Sequence, residues 1–77
     1  MEPIRDAEAL GRLVRDKRRQ LGLNQTELAG IAGVGTRFVS ELERGKPTAE
    51  LGKVLQLLER LGLDVWVAKR GQRTPDE

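Results

Sequence analysis

The 77 residues contain no cysteine and no histidine. Without cysteine there are no disulfides and no thiolate metal sites. Without histidine, the commonest metal ligand and the usual general base near neutral pH are gone. Acid–base chemistry would fall to carboxylates or lysines. The chain shows no paired carboxylates, no metal-ligand spacing and no phosphate loop. The nine glycines sit at expected helix ends or scattered within helices, not in a phosphate-cradling pattern. The reading is therefore of a protein that is not an enzyme and carries no metal and no cofactor. No apolar run approaches the roughly 20 residues of a membrane span, and Met1-Glu2-Pro3-Ile4-Arg5-Asp6 lacks the apolar stretch of a signal peptide. A cytoplasmic protein without membrane contact is expected.

What is present is a chain for one small domain, whose modest core leaves it marginal on its own. Dimerisation would remedy that. Fourteen basic and 12 acidic residues give a net charge of +2. The distribution says more than the sum. Arg12, Arg15, Lys17, Arg18 and Arg19 crowd one stretch, and Arg37, Arg44 and Lys46 follow later. Such a face can attract a phosphate backbone. A solvated helix surface explains it equally well.

Apolar spacing and punctuation predict four helices. The first spans about residues 6–21, with Asp6 as N-cap and Ala7, Leu10, Leu13, Val14 and Leu21 near one face. Gly22 suits its C-terminal end. The second follows Asn24 as N-cap and covers 25–32. Gly33-Val34-Gly35 makes a tight turn, and the third helix covers 36–44, closed by Gly45. Thr48 can cap a fourth, which carries Leu51, Val54, Leu55, Leu58 and Leu61 and ends at Gly62. Leu63-Asp64-Val65-Trp66-Val67-Ala68 alternates and is rich in β-branched residues, so a strand is expected. A lone strand has no ladder partner in its own chain, and pairing with the same strand of a second copy would supply one. The fold class is therefore all-α: a compact four-helix domain over 1–69, with a short C-terminal β-strand pairing across a homodimer. A polar tail at 70–77 is expected to be mobile.

Residues 25–44 are the informative stretch. Two short helices meet at a turn of about three residues, with Leu28, Ala32, Val34, Val39 and Leu42 spaced to point inward. Ala29 is small where the helices must approach, and Gly33 stands where positive φ is expected. This fixes two helices at a steep angle and holds the second one out. A helix so presented can enter a DNA major groove about 12 Å wide.

The runs Leu21-Gly22-Leu23-Asn24-Gln25-Thr26-Glu27-Leu28-Ala29, Gly33-Val34 and Phe38-Val39-Ser40-Glu41-Leu42-Glu43-Arg44-Gly45 resemble the lambda-repressor/Cro-type (Xre) helix-turn-helix family over about residues 10–63. A narrower resemblance lies in Glu41-Leu42-Glu43-Arg44-Gly45-Lys46-Pro47-Thr48, then Leu51-Gly52-Lys53-Val54-Leu55, with a terminal strand where a fifth helix would stand. These are similar to the HipB-type antitoxins. That resemblance implies a dimer joined by its C-terminal strands, repressing its own operon and binding a HipA-type serine/threonine kinase toxin. The alternative is a protein-interaction adaptor that keeps the fold without specific DNA binding, which would have no need of cations around the third helix.

The resemblance implies base reading at the start of the third helix, by Thr36 and Arg37. Arg37 can donate two hydrogen bonds to guanine, or hold only a phosphate. Ser40 and Glu41 lie one turn on, and Glu41 could accept from a cytosine amino group. Asn24 and Gln25 are candidates for phosphate contact at the second helix's amino end, against simple capping and solvation. Arg44 and Lys46 are further phosphate candidates, against a solvated surface. Phe38 is expected to pack rather than touch a thymine methyl. Gly35 departs from the family, where a polar side chain often stands, and removes a possible contact. The resemblance also implies an ion pair between Arg18 and Glu43. The expected dimer interface comprises Leu57, Leu61, Leu63, Val65, Trp66 and Val67, with Trp66 covering a dimer core or anchoring a partner. The implied DNA partner is a double-stranded operator with an inverted repeat.

Overall fold

The structure is a computed structural model that describes residues 3–71. Four helices follow in order: α1 (Ala7–Gln20), α2 (Gln25–Ala32), α3 (Thr36–Glu43) and α4 (Leu51–Arg60). Local chemistry explains the starts of α1 and α2. The Asp6 carboxylate accepts from the Ala9 amide at 2.7 Å. Asn24 and Glu27 form a capping box: Asn24 Oδ1 accepts from the Glu27 amide at 2.7 Å and Glu27 Oε1 from the Asn24 amide at 2.8 Å. At the end of α2, Gly33 turns the chain at φ 71°. A side chain there would be strained.

The expected cap at Thr48 is not used. Helix α4 begins later, at Leu51, with Glu50 in the capping position and no side-chain cap bond. The preceding stretch serves as a connection, and Ala49 packs against the core. Thr48 lies too far back to cap the helix.

The core is built from Val14, Leu28, Ala29, Ala32, Val39, Leu42, Val54, Leu57, Leu58 and Leu61. Each large member contributes about 1.5–3 kcal/mol by leaving water. Helix α3 packs against both α1 and α2, and α4 packs against α2. Phe38 packs on the edge of this core, as expected.

The buried stripe of α1 differs from the apolar one. Its buried residues are Gly11, Val14 and Arg18, while Leu13 and Leu21 are exposed. Two features turn the helix. At Gly11 a Cβ would lie 2.5 Å from the Leu42 carbonyl oxygen and 2.7 Å from that of Glu43, so only glycine admits the end of α3. Arg18 is drawn inward by Glu43.

Helix α4 makes a similar correction. Leu57 and Leu61, expected at the dimer interface, are 0% and 3% exposed within their own chain. They have almost no surface left to give a partner. Leu51 and Leu55, on the same apolar spacing of the expected helix as Val54 and Leu58, are exposed. Two further side chains fasten α4 to the end of α2. Gln56 Nε2 donates to the Ala32 carbonyl, and Arg60 Nη1 to the Ile31 carbonyl at 3.3 Å. Both satisfy carbonyls that a helix end leaves free.

Residues 63–69 are without regular secondary structure, and there is no β-strand among the described residues. Leu63 is partly buried against the core, whereas Val65, Trp66 and Val67 are exposed. Arg70 and Gly71 form an exposed turn; the rest of the expected tail, 72–77, lies outside the described residues. No helix among the described residues is long and apolar enough to cross a membrane.

Candidate nucleic-acid interface

Helix α3 divides cleanly along its length. Val39 and Leu42 are buried, Phe38 and Ser40 half-buried, and Thr36 and Arg37 exposed. This is the pattern of a short helix held by one side and presented by the other. The Arg37 side chain is 89% exposed, so its guanidinium is open to a ligand.

The two carboxylates of α3 are both engaged, in different ways. Glu43 is buried. It receives Arg18 Nε at 2.6 Å and Arg18 Nη2 at 2.9 Å, a two-point contact. A third bond comes from Gln25 Nε2 at 3.1 Å. Burial by itself pushes the Glu43 carboxyl up, but the bonds from Arg18 and Gln25 and the charge of Arg18 prevail. Its pKa lies below the ordinary value. The remaining Arg18 nitrogen, Nη1, donates to the Leu23 carbonyl at 2.8 Å. Arg18 thus joins α1, the loop before α2 and the end of α3.

Glu41 faces the other way and is partly exposed. Lys46 Nζ donates to its Oε2 at 2.9 Å, and Arg37 Nε lies 3.7 Å from its Oε1. The Lys46 bond, aided by the charges of Arg37 and Arg44, holds this carboxyl below its ordinary range.

These contacts gather several of the expected site residues into two separate groups. Gln25, at the first position of α2, is tied to the end of α3 through Glu43. Arg37, Arg44 and Lys46 surround Glu41. Asn24 is committed to capping, with Oδ1 facing the Glu27 amide. Sequence spacing gave no sign of the Gln25–Glu43 or Glu41–Lys46 bonds, nor of Gly11 as a contact point. A glycine inside a helix, where it costs about 1 kcal/mol relative to alanine, was the one signal for the last. The dimer candidates Val65, Trp66 and Val67 lie outside these groups. With Leu13 of α1 and Leu51 and Leu55 of α4 they border an open concavity. Among the described residues no group of three or more acidic side chains could hold a metal ion.

Comparison with known proteins agrees with this geometry. The helix-turn-helix family profile HTH_3 matches residues 14–65. An uncharacterized HTH-type transcriptional regulator, y4mF, of Sinorhizobium fredii is 50% identical over 70 residues, covering 91% of this chain and 92% of the relative. The clp gene regulator ClgR of C. glutamicum superposes with a TM-score of 0.70 at 34% identity, over 84% of this chain and 82% of that one. A HipB variant in an O2 20mer complex superposes with a TM-score of 0.82 at 23% identity, over 91% of this chain and 97% of that one, a likeness of fold. A half-buried recognition-type helix, a glycine turn and a profile match over most of the chain converge: the protein belongs to the Xre-type helix-turn-helix family and is a transcriptional regulator of HTH type.

Proposed function

We propose that the protein is a sequence-specific DNA-binding repressor that acts as a homodimer on an inverted-repeat operator. The observation that carries this reading is that α3 holds two engaged carboxylates, Glu43 bonded to Gln25 at the amino end of α2 and Glu41 beside the exposed Arg37 and Lys46. Thr36, Arg37 and Ser40 are the base-reading side chains. Arg37 suits guanine O6 and N7, and Thr36 offers both a hydroxyl and a methyl. Gln25, Arg44 and Lys46 take phosphates, with the free amides at the start of α2 beside Gln25. Asn24 contributes by ordering that helix end.

Two copies would place their α3 helices about 34 Å apart, or a multiple of that, in successive major grooves. The copies are joined through residues 63–67, with Leu63, Val65, Trp66 and Val67 meeting across the two-fold axis. Leu51 and Leu55 of α4 take the place assigned at first to Leu57 and Leu61. Repression follows from covering the promoter of the protein's own operon. A HipA-type serine/threonine kinase is the partner proposed beyond DNA, so that the protein acts as a HipB-like antitoxin in the cytoplasm. The fold likeness to HipB supports this, since HipB has been solved as an O2 20mer complex and as a HipA-HipB-O2-O3 complex.

The test is an anisotropy titration against DNA upstream of the protein's own gene, with a scrambled duplex as competitor, at physiological salt. Selective binding of two chains per inverted repeat is expected. Equal affinity for both duplexes would overturn the reading in favour of an adaptor that retains only the fold.

A further inference from the structure

The neutralisation of Glu41 is not needed to hold the fold. Its carboxylate is partly exposed, on the flank of α3 that carries Arg37, and its partners Lys46 and Arg37 are both exposed. Exposed ion pairs of this kind contribute little to stability. Their placement bears on DNA instead, because the same two cations stand in the surface proposed to meet it.

We infer that Glu41 is a specificity-determining residue that suppresses binding to DNA of arbitrary sequence, by holding Lys46 in an ion pair that must open before this cation reaches the duplex. The inference rests on the DNA-binding reading above. Binding to arbitrary DNA draws almost entirely on cations meeting phosphates. Here Lys46, bonded to Glu41 at 2.9 Å, first has to leave it, while Arg37 stands loosely beside it at 3.7 Å. Once Lys46 leaves, a bare carboxylate remains beside the DNA. On most sequences it meets phosphates and base acceptors, which repel it. Only where the register places a base amino group opposite, as on cytosine or adenine, does the carboxylate gain a new hydrogen bond. The cost therefore falls on the wrong sequences, which is how a repulsive element creates discrimination.

The other acidic side chain of α3 shows the contrast. Glu43 is buried and permanently paired with Arg18, so it stays neutralised whatever α3 meets. Glu41 alone on this helix has a carboxylate whose partners can be taken away by a ligand.

The experiment compares the full-length wild type with Glu41→Gln on the operator-containing upstream fragment and on a scrambled duplex, over a range of salt. Glu41→Gln should bind the scrambled duplex about 3- to 10-fold more tightly, with a salt slope steeper by about one. It should gain less, or lose, on the upstream fragment, so the ratio of the two affinities falls. Lys46→Gln is then made in both backgrounds. It should weaken scrambled-DNA binding more when Glu41 is already Gln, since only then is Lys46 free from the start. Unchanged or weaker scrambled-DNA binding by Glu41→Gln overturns the inference while leaving the DNA-binding reading intact. So does an equal cost of Lys46→Gln in both backgrounds. A wild type that binds neither duplex overturns both.

Discussion

Arg18 and Glu43, 25 residues apart, meet in a two-point ion pair, Nε to Oε2 at 2.6 Å and Nη2 to Oε1 at 2.9 Å. Their side chains are 10% and 4% exposed, so the pair lies within the protein rather than on it. It links the last turns of α1 and α3, and through Gln25 it reaches the amino end of α2. Two charges withdrawn from water carry a desolvation cost that their attraction only partly offsets. Removing one of them leaves the other unpaired. Glu43→Ala is therefore expected to destabilise the fold by about 3–5 kcal/mol in urea unfolding. Replacing both partners by apolar residues of similar volume should restore much of the loss. A Glu43→Ala variant as stable as the wild type would remove the pair from any structural role.

The same carboxylate sets a pH dependence. Its folded-state pKa is depressed below the ordinary 4.5. The stability it contributes is therefore fully present above that value and is lost as the pH falls toward the folded-state pKa. Urea midpoints should be flat in this respect near neutrality and fall below about pH 4.5. Glu43→Gln should start from a lower midpoint and show a shallower acid limb. Parallel acid limbs for the two proteins would assign acid sensitivity to other groups.

Gly11 is the tightest point between α1 and α3. A single added methyl would meet two backbone carbonyls, which cannot swing aside as a flexible side chain can. Gly11→Ala gains helix propensity of about 1 kcal/mol. The overpacking cost, about 1–3 kcal/mol and more against backbone, should exceed it. Net destabilisation by thermal unfolding is expected, whereas Gly30→Ala and Gly52→Ala, where a Cβ meets nothing within 4 Å, should be neutral or stabilising.

Arg37 and Arg44 should separate on DNA. Arg37→Ala is expected to cost about 1–3 kcal/mol on the cognate site and to relax one base preference. Arg44→Ala should weaken cognate and scrambled duplexes alike and lower the salt slope by about one. Equal losses on the two duplexes for Arg37→Ala would make Arg37 a phosphate contact.

Sedimentation should locate the interface between copies. Trp66→Ala and Leu55→Glu should weaken self-association tenfold or more, roughly 1.4 kcal/mol. Leu57→Ala should act differently, lowering stability by about 2–5 kcal/mol through a cavity in the subunit core. Full dimerisation by the Trp66 and Leu55 variants would place the interface elsewhere.

Much of the helical framework is legible from short spans of sequence. Asp6 and Asn24 announce helix starts because a carboxylate or amide there reaches an amide three residues on. Gly33 announces the turn because positive φ is strained for other residues. Leu28, Ala32, Val39 and Leu42 follow from period and polarity alone. These are local properties, fixed within a few residues of chain, and they determined the four helices and the turn between α2 and α3. The Arg18–Glu43 pair came through family resemblance rather than spacing. What only the tertiary structure decided is which of several plausible surfaces each helix buries and where each long polar side chain ends. Leu57 sank into the core while Leu51 and Leu55 stayed out; Gly11 rather than Leu13 faces α3; Gln56 reaches the end of α2. Several side chains along a helix have similar claims to burial. The choice among them depends on the through-space approach of segments some 25 residues apart, at the scale of single methyl groups and single hydrogen bonds, which periodicity does not encode.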